Sequence, residues 1–188
     1  MKHKGTITIE TDRLILRKFT VGDVDAAFRN WTSDENVTEF LRWPTHANIA
    51  ITERVLNSWI AGYERVNFYQ WAIMLKVSDE PIGTISAVDI DEQTEKVHIG
   101  YCIGSQWWHC GYTSEEMSAI IPCFFEQVGV KRLESQHDPG NPNSGSVMKK
   151  CGMIYEGTLR KADWNNRGIV DACIYSMLAS EYFSKKQL

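Results

Sequence analysis

The chain has 188 residues, enough for one domain with a substantial core and short for two. Its 43% hydrophobic and 23% charged residues are those of a soluble globular protein, neither disordered nor fibrous. A net charge of −4 argues against a nucleic-acid binder working through a broad basic surface. The first residues, Met1-Lys2-His3-Lys4-Gly5-Thr6, lead into alternating residues and not an apolar signal core, and no apolar run reaches membrane-spanning length. Five scattered cysteines, Cys102, Cys110, Cys123, Cys151 and Cys173, contain no C-x-x-C pair. That pattern suits reduced thiols in a cytoplasm better than a disulfide frame or a zinc site.

In chain order, Ile7–Leu16 alternates as a strand, and Gly22-Asp23 precedes a helical pattern through Trp31. Trp43-Pro44-Thr45-His46 is a break. The spacing of Val55, Leu56, Trp59, Ile60 and Tyr63 predicts a longer helix over Asn48–Val66. Three strands, Tyr69–Val77, Pro81–Ile90 and Lys96–Gly104, are joined by turn-rich segments and read as antiparallel hairpins. An amphipathic helix then runs to Gly129, with Pro122 expected to kink it and Glu115 and Glu116 in its first turn. Val130–His137 is a strand, Ser144–Cys151 a short helix closed by Gly152, and Met153–Leu159 and Ile169–Leu178 are the closing strands. The order is that of one mixed domain, residues 1–188 with a core over about 9–180.

The segment 106–116 is the most informative. A strand, a short loop and a helix start make an anion cradle, because the first amides of a helix lack intrahelical partners and the macrodipole adds positive potential. Gly111 allows close approach of a phosphate. Asp89-x-Asp91 invites a calcium reading that fails, since Thr94 and Gly100 stand where an EF-hand loop needs Gly and Glu. No metal is expected, and no Walker loop, H-E-x-x-H or G-x-S-x-G motif occurs.

Four ordered segments resemble the GNAT superfamily of N-acetyltransferases, and within it the ribosomal-protein-alanine acetyltransferase-like branch. They are Thr11–Arg17, the hairpin Trp71–Ile73 through Pro81–Ile85, Ile99-Gly100-Tyr101 leading to Gln106–Glu115, and Asp138–Ser144 through Lys150–Met153 and Glu156–Arg160. The resemblance implies an α/β (α+β) fold: a mixed, mostly antiparallel sheet of about seven strands, splayed between the fourth and fifth, with about four helices. It implies acetyl-CoA as cosubstrate, held at Tyr101, Ile103, Gln106, His109, Cys110, Gly111, Tyr112, Thr113, Ser114, Asn141 and Ser144.

His109 replaces the first glycine of the family's Gln/Arg-x-x-Gly-x-Gly/Ala pattern. Either its φ is ordinary, or the loop is distorted, or the imidazole itself meets a phosphate. The first is favoured, since a motif glycine often reflects close packing. Asn141 and Ser144 match the family's Asn-x-x-Ser, beside the pantetheine and the sulfur, and Ser144 is also a good N-cap. Met148 stands where many relatives carry an acid tyrosine, so Ser144 or water must serve. His98 is a candidate base or water-holder, or a structural strand histidine. Trp31, Trp43 and His46 are candidates for the acceptor side, with core packing and an exposed loop position as the plainer readings.

An α-amine near pKa ~8 is about a tenth neutral at pH 7, whereas a lysine near ~10.4 is neutral below a tenth of a percent. A chain poor in obvious bases therefore points to a protein or peptide N-terminal amine, with a small amine, including an antibiotic, as the alternative. A coenzyme-binding module without catalysis is the third. The expected protein is a monomer or homodimer, without nucleic-acid or membrane partners.

Overall fold

The computed structural model describes residues 1–186, so the last two positions of the predicted domain lie outside it. Eight strands form one sheet: β1 (Ile9–Glu10), β2 (Leu14–Arg17), β3 (Gln70–Leu75), β4 (Glu80–Asp91), β5 (Lys96–Ile103), β6 (Arg132–His137), β7 (Ile154–Asn165) and β8 (Gly168–Leu178). Their spatial order is β1-β2-β3-β4-β5-β6-β8-β7, antiparallel except between β5 and β6. The expected first strand is two. Thr11 turns the chain back, its amide donating to the Leu14 carbonyl at 3.0 Å, so Ile9 pairs with Leu16. This split accounts for eight strands where seven are expected.

Among the described residues six α-helices surround the sheet: α1 (Val24–Ala27), α2 (Glu35–Thr38), α3 (Ile49–Gly62), α4 (Tyr112–Pro122), α5 (Pro142–Lys150) and α6 (Ala179–Lys186). Asn48 caps α3 by accepting from the Ile51 amide. α1 and α4 each pass into a π-helical turn, Phe28–Thr32 and Cys123–Val128. The second begins directly after Pro122, whose missing N–H opens the ladder. The chain pattern did not reveal α2 or α6, which are short.

Two cores sit on the two faces of the sheet. One packs Leu14, Trp71, Ile85, Ile99, Met117, Ile120 and Phe124 under α4 and α5; the other packs Phe19, Trp31, Leu56, Ala72 and Met74 under α1–α3. Each such apolar side chain taken fully out of water is worth about 1.5–3 kcal/mol. Strand alternation assigns β5 between them: Val97, Ile99, Tyr101 and Ile103 face α4 and α5, and Cys102 faces the other core.

Candidate active site

β5 and β6 pair in parallel at three positions only, Lys96 with Arg132, Val97 with Leu133 and His98 with Glu134. Beyond His98 they diverge, and this is the expected splay. A strand left without its neighbour exposes main-chain groups. The Ile99 carbonyl is met by the Ser135 hydroxyl at 2.8 Å, so main-chain groups of that parity point toward β6. Tyr101, two residues on, therefore turns its amide and carbonyl into the gap.

At the end of β5 the chain makes a 3-10 turn, Ser105–Trp107, and enters the loop that starts α4. Gly111 is the N-cap with φ +81°, and the following amides of α4 open the helix. Gln106 is exposed, Thr113 is half-buried, and Ser114 is buried. Ile103 is core, and its carbonyl accepts from the Trp108 indole at 2.9 Å. The loop is clamped from β2. Arg13 donates from Nε to Glu115 at 2.7 Å and from Nη1 to the Cys110 carbonyl at 3.0 Å, and its guanidinium lies 4.3 Å from the centre of the Tyr112 ring. Glu115 also accepts from the Thr11 hydroxyl at 2.5 Å and the Arg13 amide at 3.0 Å. Those donors hold its carboxyl below the ordinary range despite the opposing effect of burial. Arg13 and Lys150 both lie near Gly111, within 4 Å of where a side chain there would begin, and supply positive charge. Neither was singled out from sequence, because each reaches the loop from a distant element.

His109 corrects an expectation. Its φ is +61°, the left-handed region that glycine favours, so the motif glycine it replaces is a conformational one. Histidine is among the residues that tolerate this region, at a cost of order ~1 kcal/mol. His109→Gly is expected to change stability by less than about 1 kcal/mol, since relief of strain is offset by a freer unfolded chain. The β-branched His109→Val should lower it by about 1–2 kcal/mol. Thermal unfolding midpoints of the two variants check this.

Across the splay, Asn141 caps α5, with Pro142 in the first helical turn. The Ser144 amide donates to the Asn141 side chain at 3.4 Å. Ser144 is thus not the cap, as expected from sequence, but sits in the first turn with its hydroxyl free to face β5. There the Tyr101 hydroxyl lies 2.9 Å from both Ser144 Oγ and the Ser144 carbonyl. Burial pushes the Tyr101 phenol well above its ordinary value, so it stays protonated. The resemblance placed Tyr101 among the residues holding acetyl-CoA, and nothing in the sequence pointed to this contact of its hydroxyl with Ser144. Met148 is fully buried in the core. α5 approaches β6 closely at Gly145, where a side chain would strike His137.

His98 opens on the opposite side of β5 from Tyr101. Its Nδ1 is 3.4 Å from Glu134, which also pairs with Lys96 at 2.9 Å and Arg132 at 3.1 Å. The hydrogen bond with His98 first, and then those with Lys96 and Arg132, pull the Glu134 carboxyl down to about 2 against the opposing effect of burial. Further along this side, Asp163 accepts from Arg42 at 2.6 and 2.9 Å and from Gln136 at 2.5 Å. The β7–β8 turn is fastened over it, Asn166 donating to the Thr38 and Trp43 carbonyls at 2.8 Å each. Two of the three acceptor-side expectations change. Trp31 is wholly buried in the core and lines no cleft. His46 is not an exposed loop residue: it is 6% exposed, its Nδ1 2.8 Å from the Thr52 hydroxyl, and desolvation lowers its pKa. Trp43 is half-buried against His46, ring centres 5.2 Å apart.

The description "Acetyltransferase (GNAT) domain" matches residues 13–154. The chain belongs to this family. It is an N-acetyltransferase of the acetyl-CoA-dependent class. An uncharacterized N-acetyltransferase of Bacillus subtilis, YoaA, is 29% identical over 90% of this chain and 96% of its own length. The ribosomal-protein-serine acetyltransferase of Escherichia coli is 25% identical over 79% of this chain and 76% of its own length. Among solved structures, RimL, a ribosomal L7/L12 alpha-N-protein acetyltransferase in complex with coenzyme A, superimposes with a TM-score of 0.82 at 18% identity, covering 93% of this chain and 99% of that one. At that identity the likeness shows the fold. Among the described residues no helix is long and apolar enough to cross a membrane, and no cluster of His, Cys, Asp and Glu could hold a metal ion.

Proposed function

We propose that this single domain acetylates the N-terminal α-amine of a protein or peptide in a cytoplasm, by direct attack in a ternary complex. The observation that carries the reading is the arrangement on β5. Tyr101 and Ser144 stand on one face of the opened strand, His98 and Glu134 at the apex of the splay toward the other. Amides at the start of α4, with Arg13 and Lys150 beside them, suit a pyrophosphate. The free edge at Tyr101 suits the amides of a pantetheine arm. When bound, acetyl-CoA supplies an acyl group on a good leaving thiol.

The residues then divide the proton work. Glu134 orients His98 through Nδ1, leaving Nε2 to take a proton from the incoming ammonium, directly or through water. Ser144 turns its hydroxyl to the sulfur as negative charge develops there, and Tyr101 supports Ser144 from behind. An α-amine needs only this modest help, whereas a lysine needs far more. The ribosomal-protein acetyltransferase among its relatives agrees with a protein acceptor.

The test is thiol release from acetyl-CoA against a panel of peptides with free N-termini, the same peptides N-blocked but containing lysine, and polyamines. Release confined to free α-amines is expected. Rapid acetylation of polyamines with peptides untouched would replace the proposal with a small-amine enzyme.

A further inference from the structure

Residues 34–46 link the first helical stretch to α3, and α2 is a single turn of helix inside them. One turn of helix does not hold itself in water, so this segment needs outside partners. At its near end Asp34 accepts from the Ser105 hydroxyl at 2.5 Å, in the turn that leads from β5 to the anion cradle. At its far end His46 is buried, its amide donating to the Thr32 carbonyl at 2.9 Å. Between these anchors the segment crosses the face of the sheet that carries His98 and Glu134. Arg42 reaches Asp163, which also accepts from Gln136. Gln136 is two residues beyond Glu134 on β6, hence on the same face and about 7 Å further along it.

The partners come from one hairpin. Among the described residues, every hydrogen bond or ion pair that reaches 38–43 from outside 34–46 starts on β7, β8 or their turn. Asn166 supplies three of them. Its amide donates to the Leu41 carbonyl at 3.1 Å, and its side-chain NH2 to the Thr38 and Trp43 carbonyls at 2.8 Å each. All of its N–H groups are thus spent on one stretch of main chain, about Thr38, that lies 128 positions away. Arg167 adds an ion pair with Glu39 at 3.6 Å, and its guanidinium lies 5.2 Å from the centre of the Phe40 ring. The hairpin is fastened in turn to the start of α5. Asn165 donates to Asp138 at 2.9 Å, and the Asp138 carbonyl accepts from the Asn141 amide at 2.8 Å. The segment bearing Arg42 and Trp43 is therefore held in register with the helix that carries Ser144.

We propose that Asn166 is a positioning residue for the amine acceptor. It fixes the main chain of 38–43, and so Arg42 and Trp43, beside the His98–Glu134 apex before the acceptor arrives. The inference rests on the reading above that the acceptor enters on the His98 side of β5. It adds a residue that touches neither the acceptor nor the coenzyme. A loose segment has to be ordered at each encounter, and each residue so fixed weakens binding by roughly tenfold. Asn166 is itself exposed, so replacing it removes these bonds without opening the core.

The experiment compares Asn166→Ala and Asn166→Asp with the unaltered chain, well below the unfolding midpoint. Aspartate keeps the shape of asparagine but has no side-chain N–H to give. Rates are measured with acetyl-CoA and a hexapeptide bearing a free N-terminus and, separately, with spermidine. Hydrogen exchange of the main-chain amides is followed without turnover. Both variants should raise KM for the acceptor about tenfold while kcat and KM for acetyl-CoA stay within about twofold, the pattern of lost uniform binding. Amides of 38–43 should exchange about fivefold faster, and those of 106–116 at an unchanged rate. An unchanged acceptor KM, with only the unfolding midpoint lowered, overturns the inference, because Asn166 is then a structural clip. Parallel losses in kcat and in KM for acetyl-CoA overturn it too, as signs of a generally distorted site. So does a raised acceptor KM without faster exchange, which would put Asn166 in direct contact with the acceptor. Transfer to spermidine alone sinks the peptide reading, and the spermidine KM then decides this inference by the same rule. If the unaltered chain acetylates neither amine, the acceptor reading fails and takes the inference with it.

Discussion

Ser144→Ala is expected to lower kcat by about 100-fold while coenzyme A affinity stays within about threefold. General-acid help contributes ~10²–10⁴ in rate. The lower end applies here because a thiol near pKa ~8.5 leaves readily without a strong acid. Tyr101→Phe removes the group 2.9 Å behind the serine hydroxyl and should cost about tenfold in kcat. The double variant should be no slower than Ser144→Ala alone, since the two hydroxyls act as one unit. Steady-state kinetics with acetyl-CoA and a free-N-terminal peptide, with thermal unfolding as a control for folding, decides it. Less than threefold loss in Ser144→Ala, or additive losses in the double variant, would remove the pair from the chemistry. The pH profile adds a further check. The Tyr101 phenol stays protonated through the neutral and mildly alkaline range, so no activity limb in that range should be assignable to it.

Much of this arrangement is written in local pattern. The turn-rich segments after Val77 and Ile90 marked off three antiparallel strands, and the periodic stripe of Met117, Ile120 and Phe124 placed α4. The sequence pattern starts the short helix at Ser144 with that residue as its cap, whereas Asn141 caps α5 and Pro142 opens it. What could not be read depends on partners far along the chain. Arg13 reaches Glu115 and Cys110 across about a hundred positions, and no spacing rule links them. The positive φ of His109 follows from the clamp on Cys110 and the cap at Gly111, not from the histidine. Trp31 and His46 belong to the core of the α1–α3 side, which a polar break around Trp43-Pro44 disguised. Glu116, completely buried where Glu115 is ion-paired with Arg13, did carry a local signal: a charged residue on an apolar helical stripe. Favourable negative charge in a first helical turn explained Glu115 and Glu116 together, and so hid the difference between them.

Removing Glu134 is expected to destabilise the protein by about 2 kcal/mol and to abolish one component of its acid sensitivity. Its carboxyl sits at the last position where β5 and β6 still pair, holding Lys96 at 2.9 Å, Arg132 at 3.1 Å and His98 at 3.4 Å. An exposed ion pair is worth about 0–1 kcal/mol, and breaking a buried one costs about 3–5. Glu134 is 15% exposed with cationic partners about a quarter exposed, which puts Glu134→Ala between the two limits. For a chain of this size that is a fall of roughly 4–8 °C in the unfolding midpoint. The sign of the pH effect follows from a folded pKa of about 2 against 4.5 for the free group. The unfolded chain takes up this proton first, so the contribution is complete above about pH 4.5 and drains away as pH falls toward 2. Wild type and Glu134→Ala should therefore differ most near neutrality and converge at the acid end. Because the same carboxyl orients His98 where the strands part, Glu134→Ala should also lower kcat/KM by more than its folded fraction accounts for. Unfolding midpoints across pH and rates measured well below the midpoint separate the two effects. A pH-independent stability gap would show that Glu134 acts through packing, and unchanged kcat/KM would show that the apex of the splay is a hinge and His98 a structural residue.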